Sequence, residues 1–149
     1  MSEHQLRFVN DYLPYLLARA SLLISSSFHE QVSASGLSVM EWRVMATLSD
    51  GPELSIKALC DVVLAKQPTV TKLVGRMEAR GWVQRSSSGT DKRQTLVSLT
   101  AKGRQAIEPL LLLSKVHERE VLNTFGATGE TQLKAHLREL IEQAVQRRN

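Results

Sequence analysis

The 149-residue sequence predicts a mainly α chain with one small β-hairpin, and three observations lead there. Apolar residues recur at three- and four-residue steps through most of the chain, which marks helices with one buried stripe. Two short β-prone segments, Trp82 to Arg85 and Thr95 to Leu99, flank a polar tip and read as a hairpin. Helix start and stop signals crowd the middle of the chain, so the helices there are short.

The elements follow in order. Tyr12, Leu13, Leu16, Leu17, Ala20, Leu23, Ile24 and Phe28 form one face of a first helix. Pro14 is tolerated in its first turn, with Asn10 or Asp11 as the expected cap. Ser38-Val-Met-Glu41 is a capping box, in which the hydroxyl and the carboxylate each satisfy the other's backbone amide. Leu37 and Trp42 occupy the staple positions, and this second helix runs through Met45 and Leu48 to Asp50-Gly51-Pro52, where it must stop. Ser55 caps a short third helix with Ile56, Leu59, Cys60 and Val63 on one stripe. After a break at Leu64 to Lys66, Pro68 opens a fourth helix where its missing amide hydrogen costs nothing. Gly81 supplies the left-handed residue that ends it. The hairpin comes next and, being marginal alone, must lean on helices. Thr100 caps a fifth helix that continues to about Thr124, with Pro109 predicting a kink or a later start. Gly126-Ala-Thr-Gly129 is expected to break it before a last helix from about Glu130 to Gln146.

A helix-turn-helix followed by a hairpin is the winged-helix plan. The sequence therefore divides into a winged helix-turn-helix over residues 36–103 and helical arms over residues 1–35 and 104–149. An apolar content of 42% is enough for a real core. The longest apolar run, Leu110 to Leu113, is far short of the ~20 residues of a membrane span, and no basic segment leads into an apolar one at the start. A soluble cytoplasmic protein is expected. Cys60 is the sole cysteine, which leaves no internal disulfide and suits a reducing compartment; its expected role is that of a small buried residue.

Charge is distributed unevenly. The chain carries a net charge of +4, yet nine Lys and Arg stand against two acids between Lys66 and Arg104. A basic middle between mildly acidic arms points to a polyanion, double-stranded DNA rather than a membrane. On the fourth helix Val70, Leu73, Val74 and Met77 must face inward. The opposite side carries Pro68, Thr71, Lys72, Gly75 and Ala79, flanked by Thr69 and Arg76, and is short and nearly free of carboxylates. The N-terminal part of such a helix reads base edges while amides and cations hold phosphates. The candidate contacts there are Ser55, Lys66, Gln67, Pro68, Thr69, Thr71, Lys72 and Arg76. On the hairpin they are Arg85, Asp91, Lys92 and Arg93, with Arg93 entering or lining a minor groove. Asp91 is expected to hold the Arg93 guanidinium, and Ser86 to Gly89 to let the tip move. The bland alternatives are an ordinary solvated helix face and a surface ion pair worth under ~1 kcal/mol.

The segments LSVMEWRVMATL, QPTVTKLVGRMEARGWVQR and DKRQTLVSLTAKG together resemble the multiple antibiotic resistance regulator (MarR) family of winged-helix transcription factors. The resemblance implies a homodimer whose terminal helices interlock and whose two wings address a palindromic site. The arms allow this, because Leu133, Leu137, Leu140, Ile141, Ala144 and Val145 line the last helix and the leucine quartet is apolar nearly all round. Packing on the first helix of the same chain is the alternative. Family members often bind small phenolic or aromatic carboxylate effectors between the dimerization helices and the winged domain. By that resemblance Arg19 is the candidate carboxylate partner, with Tyr15 and Trp42 as wall residues. An ion-pair role for Arg19 and a core role for Trp42 compete with this. Relatives that sense oxidants use a cysteine in the first helix, which this sequence lacks.

Catalysis is not expected, nor is any cofactor or metal. His4, His29, His117 and His136 are scattered, and His117-Glu-Arg-Glu120 lacks the second histidine of a helical zinc motif. A winged helix that docks proteins is the nearer rival, but it should present exposed apolar anchors where this one is small or polar. The expected function is that of a homodimeric repressor.

Overall fold

The computed structural model describes residues 7–149; His4 lies outside the described residues. The chain forms two compact units, one up to Leu113 and one from Ser114 to Asn149.

A 3-10 turn, Phe8–Asp11, leads into helix α1, Leu13–Ala34. The expected caps are corrected here. Asn10 and Asp11 belong to the 3-10 turn, and extended Tyr12 becomes the N-cap without a side-chain bond. α1 ends at Gly36, whose φ of 81° lets the Gly36 and Leu37 amides donate back to the Ser33 and Val32 carbonyls. Helix α2, Val39–Ser49, opens on the expected capping box, with Ser38 N–H donating to Glu41 at 2.7 Å and Glu41 N–H to Ser38 Oγ at 3.1 Å. Helix α3, Ile56–Val63, is capped by Ser55 Oγ, which accepts from Ala58 N–H at 3.1 Å. Helix α4, Gln67–Ala79, follows a turn with Leu64 in the left-handed region. It ends as expected at Gly81, φ 78°, with the Gly81 and Trp82 amides donating to the Glu78 and Met77 carbonyls.

The sheet has one strand more than the sequence predicts. Strand β1, Leu54–Ser55, joins β2, Val83–Ser87, and β3, Thr95–Leu99, in the order β1-β3-β2, all antiparallel. Two residues show no periodicity, so β1 is invisible in the sequence, yet it covers the second edge of β3 at Leu54↔Val97. That pairing supplies part of the support a bare hairpin needs. Ser86 and Ser87, expected in the mobile tip, belong to β2.

The core of the first unit lies where α1 through α4, the sheet and the start of α5 meet. Val32, Val44, Met45, Leu59, Val70, Leu73, Val74, Met77, Val97 and Ile107 are almost wholly inaccessible there. All four expected inward residues of α4 are among them, which fixes the rotation of that helix and leaves its other face outward. Cys60 is half-buried against this core.

Helix α5, Ala101–Leu122, runs through Pro109 and starts at once after Thr100, so a later start is excluded. Thr100 Oγ1 accepts from Gly103 N–H at 3.0 Å and donates to the Gly81 carbonyl at 2.5 Å. A 3-10 turn, Asn123–Phe125, precedes helix α6, Gly126–Gln146. The expected break at Gly126 to Gly129 is therefore misplaced. Gly126 alone makes the turn, at φ 69°, and the next three residues form the first turn of α6. In the second unit Lys134 Nζ lies 2.9 Å from both Glu118 and Glu130, tying the end of α5 to α6. Among the described residues no helix is long and apolar enough to cross a membrane.

Candidate nucleic-acid interface

α4 presents its start differently from its neighbours. α2, α3 and α5 each begin on a side-chain hydroxyl, whereas Lys66, the N-cap of α4, makes no side-chain cap bond, and the first turn holds no acid. Apart from Pro68, which has no N–H, the first-turn amides are thus left for an outside acceptor, where the helix dipole favours an anion. Gln67, Pro68, Thr69, Thr71 and Lys72 are exposed around this end, and Arg76 is exposed in the last turn.

Beside it, α3, α4 and the sheet enclose an open groove of about 470 Å³. The predicted residues Ser55, Gln67, Thr71, Arg85, Asp91 and Arg93 line it. So do Lys57, Gln94 and Thr95, which sequence reasoning missed. Lys57 follows the capped start of α3, and its place could be found only by knowing that β1 brings that start beside the hairpin. Lys66, Pro68, Thr69, Lys72, Arg76 and Lys92 lie outside the groove lining.

The basic stretch divides into two groups. Four of its nine cations are committed within the fold. Arg80 stacks 3.6 Å over the Trp82 ring and donates to the Gly36 carbonyl at 3.3 Å. Lys102 Nζ donates to the Arg80 carbonyl at 2.9 Å, and Arg104 to the Ser49 carbonyl at 3.3 Å, each closing a helix C-terminus. Arg85 is held by Glu78: its backbone N–H donates at 2.9 Å and its guanidinium at 2.8 and 3.1 Å. These hydrogen bonds hold the Glu78 carboxyl below its ordinary range and raise the Arg85 guanidinium. The side chains of Lys66, Lys72, Arg76, Lys92 and Arg93 make no hydrogen bond or ion pair among the described residues.

Asp91 departs from expectation. Its Oδ1 accepts the Arg93 backbone N–H at 3.0 Å rather than the guanidinium. The two residues sit in a tight turn closed by Gln94 N–H donating to the Asp91 carbonyl at 3.1 Å. In such a turn the nearest donor to the carboxylate is the amide two residues on. Among the described residues the Arg93 guanidinium stays unpaired, and the carboxylate is occupied in shaping the tip.

The effector candidates separate. Arg19 Nη1 donates to Tyr15 Oη at 3.2 Å on α1, while Trp42 packs edge-on against Phe28 at 5.0 Å between ring centres. Phe28 stands thirteen positions beyond Tyr15, roughly 20 Å along the helix at ~1.5 Å per residue. Within one chain a single small aromatic molecule does not span Tyr15 and Trp42.

The MarR-family sequence profile matches residues 35–94. YwoH of Bacillus subtilis, described as an uncharacterized helix-turn-helix-type transcriptional regulator, is 31% identical over 79% of this chain and 85% of its own length. The homoprotocatechuate degradative operon repressor of Escherichia coli is 26% identical over 89% of this chain and 90% of its own. The crystal structure of the MarR family regulator SPO1453 from Silicibacter pomeroyi superposes with a TM-score of 0.82 at 38% identity, covering 93% of this chain and 98% of that one. The exposed helix start, the wing beside it and relatives alike over nearly their whole length lead to one conclusion: the chain belongs to the MarR family of DNA-binding transcriptional regulators.

Proposed function

We propose that two copies of this chain form a repressor that binds a palindromic duplex operator, and that a small aromatic carboxylate releases it. The observation that carries this reading is the juxtaposition of an uncapped, acid-free helix start with five unengaged cations. Gln67, Thr69 and Thr71 read base edges from α4. Lys66, Lys72 and Arg76 hold phosphates on either side, and Lys92 and Arg93 follow the adjacent minor groove. The polar character of this face favours DNA over a protein partner, which would need apolar anchors.

A second copy is supported by what one chain leaves uncovered. Leu13, Leu16, Leu17, Leu23 and Ile24 on α1 are exposed, as are Leu133, Leu140, Ile141 and Val145 on α6. Apolar stripes of this length rarely face water in a monomer. A dimer then sets two α4 helices against half-sites one helical turn, ~34 Å, apart. An effector weakens binding by favouring a dimer with another spacing. Arg19, presented by its bond to Tyr15, is the proposed carboxylate partner; Trp42 takes no part. A repressor role accords with the E. coli relative, whose name ties it to an operon for homoprotocatechuate, a phenolic carboxylate.

The test is selection of bound fragments from a pool of random duplexes, repeated with a panel of aromatic acids. A two-fold symmetric motif, lost with at least one acid, is the expected outcome; an asymmetric or featureless pool contradicts it. Gln67→Ala and Thr71→Ala are expected to change which bases are selected, by roughly 1–3 kcal/mol at the affected positions. Unaltered preferences in both variants would place the base-reading residues elsewhere.

A further inference from the structure

We propose that Glu78 is a positioning residue for DNA recognition: through Arg85 it bolts the wing to α4 and screens one cation of the groove, exchanging attraction to any duplex for a fixed register on one. The proposal rests on the DNA-binding reading above.

Glu78 is the only acid in α4. A carboxylate on the helix that enters a polyanion is a liability unless it performs a task. Both its oxygens are occupied by one residue. Oε2 accepts the Arg85 backbone N–H at 2.9 Å, and Oε1 accepts Nε at 3.1 Å and Nη2 at 2.8 Å. β2 is an edge strand, so this amide belongs to the side of the strand turned away from β3. A contact to a backbone amide fixes where the strand lies along the helix, which a pairing of two side-chain tips does not. The next residue is pinned as well, Ser86 Oγ donating to Glu53 at 3.2 Å. Beyond these two residues the wing is held by its own pairing, from Ser87↔Thr95 to Ser88 N–H donating to the Gln94 carbonyl.

The second effect is electrostatic. The groove is lined by Lys57, Arg85 and Arg93 but not by Glu78. The carboxylate therefore stands behind the Arg85 guanidinium, and an arriving phosphate meets a cation already partly neutralised and fixed in direction. Lys57 and Arg93 make no ion pair among the described residues, although the Asp91 carboxylate also lines the groove. An exposed ion pair of this kind adds little to folding, so the consequence of removing it should be read on DNA and not in the thermal midpoint.

The experiment compares wild type, Glu78→Ala, Arg85→Ala and the double variant on two probes: a duplex selected by wild type from a random pool, and an unselected duplex of equal length, each over a range of salt concentrations. Glu78→Ala is expected to bind the unselected duplex more tightly, with a salt dependence steeper by about one released ion per chain. It is expected to bind the selected duplex about tenfold more weakly. In the Arg85→Ala background, which keeps the backbone N–H bond to Glu78 but has no guanidinium to unscreen, Glu78→Ala should still weaken binding to the selected duplex but tighten the unselected one much less. Equal tightening on both duplexes would overturn the proposal by reducing Glu78 to a repelling charge. Tightening on the unselected duplex of the same size in both backgrounds would overturn the screening of Arg85, and undiminished binding of the selected duplex by Glu78→Ala would overturn the bolt. Absence of salt-dependent binding by wild type to either duplex would instead remove the DNA-binding reading itself.

Discussion

Gly103→Ala is expected to lower the thermal midpoint by on the order of 10 °C, the Cβ there meeting a closer obstacle than at any other glycine. Gly103 lies in the first turn of α5, and a Cβ there would fall far inside van der Waals contact with the Trp82 carbonyl oxygen, with the Leu99 side chain closing the other side at 3.1 Å. The obstacle is backbone and cannot swing away. Trp82 is held in turn by Thr100, whose N–H donates to its carbonyl at 3.0 Å. Overpacking of this kind costs about 1–3 kcal/mol or more. The same contact explains the run Leu99-Thr-Ala-Lys-Gly103. Leu99 is buried, Thr100 caps α5, Lys102 closes the end of α4, and Gly103 permits the close approach. Calorimetry of the variant checks this; a midpoint within about 2 °C of wild type would show that α5 does not dock on Trp82 as described.

Arg93→Ala is expected to weaken binding to selected and unselected duplexes alike by about tenfold or more, and to flatten the salt dependence by about one released ion per chain. Arg93 is exposed at the wing tip, its amide held by Asp91 and its guanidinium unpaired. A cation placed in this way contacts phosphate or a narrow minor groove, where sequence matters little. Anisotropy titrations at several salt concentrations measure both quantities. Unchanged affinity would remove the wing from the interface.

Much of the fold was legible because its signals are local. The Ser38–Glu41 box, Pro68 at the head of α4 and Gly81 at its end act within four residues, and the Val70, Leu73, Val74, Met77 stripe is plain periodicity. What escaped depends on partners distant in sequence. Arg80 to Gly36, Lys102 to Arg80 and Arg104 to Ser49 join residues 44, 22 and 55 positions apart. The basic stretch therefore looked like a single surface when nearly half of it closes helices and braces the wing. Strand β1 escaped because two residues carry no pattern, and Lys57 escaped with it. Asp91 meets Arg93, as the sequence suggests, but through the backbone N–H, since a tight turn offers its carboxylate an amide before it offers a guanidinium.

The most direct test of the whole reading is the mass of the complex formed on a duplex selected from a random pool, measured by native mass spectrometry or sedimentation. Two chains per duplex, with no species carrying one, is the expected result. A single chain per duplex, or free monomers beside unbound DNA in dilute salt, would contradict it.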